Sequence, residues 1–427
     1  MSRCRAWPRG CAASSTATGF KVYSLSLRAL SHSLPLIATQ SAYGLLGGAY
    51  LPFFGASLEA RGLTTAGIGM LLALATALRM VVSPIAGLVA DARDDHRIVM
   101  LTLSAAALAG FVGFALVREP NAIFLTGVVA LVLWISSSPI MESVILRAAE
   151  GAKIPYGRLR VWLSVAFVAG NVLSGFAIAQ FGFGIVAPWF VVCAALQLAA
   201  IYTLPRATPA HATGFFALRL QTTFAEAREL IGKPIFLLFL VTCSLIQGSH
   251  IVYYVYAGLA WRAQGFSATT IGLIWPLGVL AEIALFLFSA TIVRRVDAVS
   301  LMTLGAIAAG LRWVVMAFDP ALPILVLTQL LHGLTFAIPH LGAMYFILGA
   351  TPPRLSATAQ SLYSVFGTGL GSSLALIPAS YLYAGWGSAV YLMMSMMAVV
   401  ALSLSLILAR KWNGGRLTET QASPAPV

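Results

Sequence analysis

Long, nearly unbroken apolar runs separated by short polar connections are the dominant pattern along this chain. A bilayer's hydrocarbon core is about 30 Å thick and is crossed by about 20 mostly apolar residues in a helix. By that rule the sequence predicts twelve spans. The first six lie at roughly 35–58, 66–90, 98–117, 121–146, 158–180 and 183–204. The second six lie at roughly 234–258, 268–293, 299–318, 321–348, 356–383 and 387–409. Between the two sets runs the longest non-apolar stretch, Pro205 to Lys233, which contains the amphipathic piece FAEAREL (Phe224 to Leu230). The expected fold is an all-α membrane protein of two six-helix halves. Its predicted parts are a basic N-terminal tail (1–33), an N-terminal half (34–204), a cytoplasmic linker (205–233), a C-terminal half (234–410) and a C-terminal tail (411–427).

Composition excludes the alternatives. The 427 residues are 59% hydrophobic and 9% charged, whereas soluble domains carry about 25% charged residues. A net charge of +13 could point to nucleic acid, but the basic residues sit in short loops between apolar runs, where membrane topology puts them. Counted by side, only Arg61, Arg118 and Arg262 fall opposite the N-terminus, so both termini are expected in the cytoplasm. Cys4, Cys11, Cys193 and Cys243 are scattered without metal-ligand spacing, and neither a metal site nor a disulfide framework is expected. Residues 1–33 are basic and free of acids, a composition shared by transit peptides and cytoplasmic tails, and do not enter the fold argument.

An ionisable side chain at bilayer depth costs a few kcal/mol or more unless it is paired or hydrated, so it is a functional candidate by default. Within the predicted spans these are Arg79, Glu142, Arg160, Glu282 and Arg312, with His250, His332 and His340. Glu142 and Arg160, on consecutive spans, are predicted to face each other across a water-accessible cavity. A lone histidine on an apolar helix is more often a hydrogen-bonded core residue than a proton site, and His250 and His340 are read that way. His332 differs, because Glu282 and Arg312 lie on neighbouring spans at compatible depth; a proton relay and a static, charge-satisfied network are the two readings. With the histidines neutral, three arginines face two glutamates. One cation is left over, and an anionic substrate could match it. Tyr50, Trp162 and Tyr253, with neighbours such as Tyr43, Phe54 and Tyr254, are candidates to line an apolar pocket, although interfacial belts are the default use of such rings.

Several motifs in matching order carry a resemblance: GAYLPFFGASLEARGLTTAGIG, YGRLRVWLSVAF, QGSHIVYYVYAGLAWRAQGFSATTIGLIWPLGVLAEIALFLFS, LRW around Arg312, and QLLHGLTFAIPHLGAMYFI. With them the chain resembles the phenylpropionate permease branch of the major facilitator superfamily and, more distantly, lactose permease, over roughly residues 40 to 400. The loop after the second span fits the superfamily pattern in part: Gly87 and Asp91 match, Ala92 and Asp94 do not. The resemblance implies twelve helices and a proton-coupled symporter in a bacterial inner membrane. It implies a monomer that needs no cofactor beyond the proton gradient and has no nucleic-acid partner. Glu142 and Arg160 stand where the permease's sugar-binding acid and arginine stand, and Arg312 and His332 match its coupling arginine and histidine. Thr335 replaces its coupling glutamate, and Glu282 falls about one turn from its helix-eight acid. Gly87 and Asp91 would gate the cytoplasmic ends.

The expected substrate is therefore a small aromatic or other carboxylic acid held by Glu142 and Arg160 with Tyr50, Trp162 and Tyr253, while Glu282, Arg312 and His332 carry the proton. A neutral sugar or nucleoside is the alternative within transport. A non-transporting membrane sensor is the rival from another class. No enzyme is expected: HExxH, GxSxG and P-loop motifs are absent, and the intramembrane acids lack a nucleophile–base partner.

Overall fold

The structure is a computed structural model that describes residues 27–93, 95–152, 156–204, 225–352 and 355–417. Most of the N-terminal tail, the bulk of the linker and residues 418–427 lie outside these, as do Cys4 and Cys11. Every regular element among the described residues is helical. Apolar runs propagate each helix, and local chemistry sets its ends. Asp95, Ser267 and Asp297 each accept backbone N–H groups in the first turn that follows, and Pro120 and Pro234 open helices where the missing N–H costs nothing.

The helices in order are α1 (Leu27–Ala60), α2 (Thr65–Arg93), α3 (His96–Leu116), α4 (Pro120–Ser136, stepping at Ser137 into Ser138–Ala152), α5 (Tyr156–Phe181) and α6 (Val186–Tyr202). Then follow α7 (Pro234–Gly248, stepping at Ser249 and His250 into Ile251–Ala263), α8 (Ala268–Leu287) and α9 (Ala298–Met316). The last three are α10 (Leu322–Leu330 and Ile338–Ala350 around a π turn, Gly333–Ala337), α11 (Ser356–Leu362 and Gly371–Trp386 around a π turn, Tyr363–Leu370) and α12 (Tyr391–Lys411). Ten stretches of the described residues are long and apolar enough to cross a membrane. The last of them, Thr358–Lys411, holds both α11 and α12, which part at Gly387, a left-handed residue at φ +54°. The first predicted span is not among the ten, because Thr39, Gln40, Ser41 and a series of glycines interrupt the apolar run of α1. The predicted boundaries shift most in four places: α1 begins at Leu27 rather than near 35, α4 runs on to Ala152 rather than 146, α7 runs on to Ala263 rather than 258, and α8 stops at Leu287, before a short helical turn at Ser289–Val293.

α1 to α6 pack mainly on one another, as do α7 to α12. Across the two groups α5 lies along α8, α2 along α11, and α1 along the second segment of α7. The cores divide unequally. At the end of the bundle away from the start of α1, one continuous apolar cluster takes Phe53, Phe54 and Ile68 from the first group and Val255, Trp261 and Leu376 from the second. At the end where α1 starts, each group keeps a cluster of its own. Ile140, Ile145 and Leu159 belong to one, and Phe239, Met302 and Phe346 to the other. The bundle is therefore sealed at its far end and parted at its near end.

Close backbone approach makes the seal. Gly258 of α7 lies against the Pro52 carbonyl of α1 with no room for a Cβ, and Gly69 of α2 is likewise pressed against Ser380 and Tyr256. The Tyr256 hydroxyl donates to the Thr65 carbonyl (3.0 Å), and its ring stacks on Tyr383 at 4.2 Å. A salt bridge between Arg262 and Glu59 (3.3 Å) crosses the same seam, but both side chains are nearly half exposed, and exposed pairs are worth about 0–1 kcal/mol. A cysteine at the buried Ile68 position, with native cysteines replaced, is thus expected to resist a membrane-impermeant maleimide. Adding Gly258→Val should make it react, whereas adding Glu59→Gln should leave its rate within about twofold.

Candidate functional site

The charges of the second helix group form one connected set. α10 places Gln329, His332, Phe336 and His340 at intervals of three and four, on one face. Gly278 of α8 lets His332 approach closely, since a Cβ there would meet the imidazole at 3.2 Å. That brings His332 Nε2 to 2.8 Å from Glu282 Oε1. On its other side His332 Nδ1 takes a hydrogen bond from Arg312 Nη1 of α9 at 2.8 Å. A guanidinium only donates, so His332 Nδ1 must accept, and the neutral ring carries its proton on Nε2, pointed at the Glu282 carboxylate.

Arg312 is fully buried. Its Nη1 also donates to Thr335 Oγ1 (3.1 Å) and its Nη2 to Gln329 Oε1 (3.5 Å), and the guanidinium lies over the rings of Tyr253 (4.8 Å) and Trp313 (4.7 Å). Thr335 in turn meets His250 Nε2 at 3.1 Å, and His250 Nδ1 faces the Ile246 carbonyl at 3.1 Å. Of the three predicted coupling residues, Glu282 is the most exposed, at 19% against 5% for the His332 side chain. A proton arriving from water meets Glu282 first. His250 is the hydrogen-bonded core histidine expected of it, and His340 pairs with the Tyr363 hydroxyl at 2.8 Å.

In the first helix group Arg160 Nε and Glu142 Oε1 form a salt bridge at 2.8 Å, with about a third of each side chain exposed. The two residues were expected to face each other across a water-accessible cavity; they instead meet directly and neutralise each other, and neither lines the cavity between the groups. Between the groups lies a cavity of about 360 Å³, within the range of small-molecule sites. Tyr50, Phe54 and Arg79 line it from α1 and α2, and Gln247, Tyr254 and Phe336 from α7 and α10. Tyr254 and Phe336 are also its link to the coupling set, with His332 at 6.1 Å and 5.4 Å between ring centres.

The remaining sequence candidates divide. Tyr50 reaches the cavity. Tyr253 does not: it is buried, its hydroxyl donates to Gln329 at 2.7 Å, and its ring stacks on Trp275 at 4.6 Å, so it serves the Arg312 network while its neighbour Tyr254 faces the cavity. Trp162 is also displaced. It lies two residues, about 200° of helix, from Arg160, is 43% exposed, and does not line the cavity. Gly87 sits in α2 with open space around it, and Asp91 occupies the last turns of α2, its side chain outside the described residues. Sequence reasoning named Arg79 among the intramembrane candidates but gave it no specific role, and it did not single out Gln247, Gln329 or Phe336. Among the described residues no cluster of His, Cys, Asp or Glu has the makings of a metal site.

The sequence profile of the MFS_1 like family matches residues 42–414. The probable 3-phenylpropionic acid transporter of Escherichia coli (strain K12) is 29% identical over 362 residues, covering 84% of this chain and 93% of that protein. The maltose permease of Geobacillus stearothermophilus is 29% identical over 369 residues, covering 85% and 91%. Among solved structures, nucleoside transporter NupG superposes with a TM-score of 0.76 at 17% identity, over 89% of this chain and 99% of that one. A D-xylose–proton symporter superposes with a TM-score of 0.65 at 14% identity, over 90% and 97%. At these identities the structural likeness concerns the fold alone.

Burial sets what each ionic group contributes to stability. Removing the imidazole bridge by His332→Leu leaves Glu282 and Arg312 without their common partner, and should lower unfolding free energy by about 3 kcal/mol. Glu142→Gln, at a partly exposed pair, should cost under about 1 kcal/mol. Thermal unfolding of purified protein in detergent measures both.

Proposed function

The chain belongs to the MFS_1 like family of membrane transporters, and from that premise we propose that it is a proton-coupled symporter of a small organic acid that works by alternating access. The observation that carries the proton is the buried run Glu282–His332–Arg312, in which a carboxylate at the exposed end accepts from an imidazole whose tautomer is fixed by a permanent cation. Protonating Glu282 removes the charge that this N–H answers, so the proton and the packing of α8 against α10 are linked. The sealed far end and parted near end correspond to one of the two states that alternation requires, with the cavity opening toward the basic side of the bundle. We read that side, and both termini, as cytoplasmic in a bacterial inner membrane, a reading that the excess of Lys and Arg there supports. Each half contributes to a single cavity, so a monomer suffices. Gly87 and Asp91 at the parted end are the gating positions.

An acid is favoured as cargo by the similarity to a probable 3-phenylpropionic acid transporter and by the aromatic lining. A neutral sugar is the second reading, favoured by an equally similar maltose permease and by the Glu142–Arg160 pair, a fitting partner for hydroxyl groups. A ligand sensor without transport would bind cargo and move none.

Proteoliposomes subjected to an inward proton gradient separate these. Labelled 3-phenylpropionate should accumulate and labelled maltose should not; the reverse result overturns the acid, and binding without flux overturns transport. Glu282→Gln should abolish uphill accumulation while exchange of internal for external substrate stays within about threefold of the parent. Accumulation that persists in this variant removes Glu282 as the proton carrier.

A further inference from the structure

Among the described residues, the ionised groups at bilayer depth are each paired through a side chain except one. Glu142 is spent on Arg160, and Glu282 on His332 and through it on Arg312. Arg79 of α2 is left. No hydrogen bond or ion pair reaches its guanidinium among the described residues, and the groups in its field are the hydroxyls of Tyr43 and Tyr50. Arg79 also lines the central cavity, and it is the cavity's one charged residue. The intramembrane cation that a simple count leaves over is therefore neither Arg160, where the sequence suggested a clamp, nor Arg312.

We infer that Arg79 is the anion-recognition residue of this transporter, and that the cargo it selects is a monoanionic carboxylate with an aromatic or other flat apolar body. The inference rests on the transport reading above and deepens it. An arginine at this depth is tolerated when it is hydrated or paired. In a cavity open to water it is hydrated when empty and forms a forked pair with a carboxylate when loaded. The walls give the rest of the ligand. Tyr50 and Phe54 line the cavity from the same helix group as Arg79, and Tyr254 and Phe336 from the other, which suits a ring a few bonds from the carboxylate. Tyr254 and Phe336 then touch both cargo and His332. Occupancy of the Arg79 site is thereby mechanically adjacent to the proton site. A sugar, with many hydroxyls and no charge, would leave the guanidinium unanswered.

Binding to purified protein in nanodiscs tests this with three probes: 3-phenylpropionate, its uncharged isostere 3-phenylpropanamide, and maltose. The parent should bind the acid on the order of 30-fold more tightly than the amide. Arg79→Gln should weaken the acid by a similar factor and leave the amide within about twofold, so that the preference collapses. Arg79→Lys, which keeps the charge and loses the fork, should fall between, and it carries the same comparison if the glutamine variant does not fold. Acid binding at parental strength in Arg79→Gln overturns the assignment and leaves acid transport standing. Equal weakening of acid and amide also overturns it, by showing that Arg79 props the bundle rather than reads charge. A parent that binds maltose and neither aromatic probe overturns the organic-acid reading together with this inference.

Discussion

A guanidinium sealed in an apolar bundle is costly unless its donors are met, and that demand at Arg312 organises the second half of this protein. Its two terminal nitrogens engage His332, Thr335 and Gln329, Nε has no hydrogen-bond partner among the described residues, and two aromatic rings cover its faces. Each partner is then committed: Gln329 also receives Tyr253, Thr335 meets His250, and His332 has one nitrogen left for Glu282. Four helices, α7 to α10, are tied by this chain of obligations. Burial makes it costly to leave any member unpaired, so a change at its exposed end, Glu282, is felt at its centre.

The first half handles charge differently. Glu142 and Arg160 meet with about a third of each side chain still exposed, so the pair is hydrated and its members can be separated at modest cost. Arg79 has no hydrogen bond or ion pair among the described residues and lines the cavity. The division is physical: the partly exposed pair of the first half is hydrated, while the charges of the second half, which water scarcely reaches, are held in one buried network. Coupling between the halves runs through apolar rings, Tyr254 and Phe336, rather than through a continuous ionic path.

Much of this was legible in the sequence. Apolar run length gave the helices, and the scarcity of charge in those runs exposed Glu142, Arg160, Glu282, Arg312 and His332, whose partners the structure pairs as the spacing suggests. What sequence left out depends on angular phase and on pairing. Tyr253 and Tyr254 are adjacent, so one helical step, about 100°, decides which enters the network and which the cavity, and the step in α7 at Ser249 and His250 hides that phase. Trp162 fails for the same reason. The π turns in α10 and α11 add a residue to the helical register without any composition cue. Counting charges showed that one arginine was unmatched, but only the pairing geometry identifies it as Arg79.

The seam between α1 and α7 has an implication for how the protein responds to its surroundings. Pro52 and Gly258 meet backbone to backbone, and the layer around them is apolar, with one exposed ion pair at its rim. Parting that layer uncovers grease and main chain rather than rupturing a lattice of charges. Its barrier should track temperature and the lateral pressure and thickness of the surrounding lipid, and be nearly indifferent to ionic strength. Bilayer mechanics, more than the salt outside the cell, would then set how often this passage turns over.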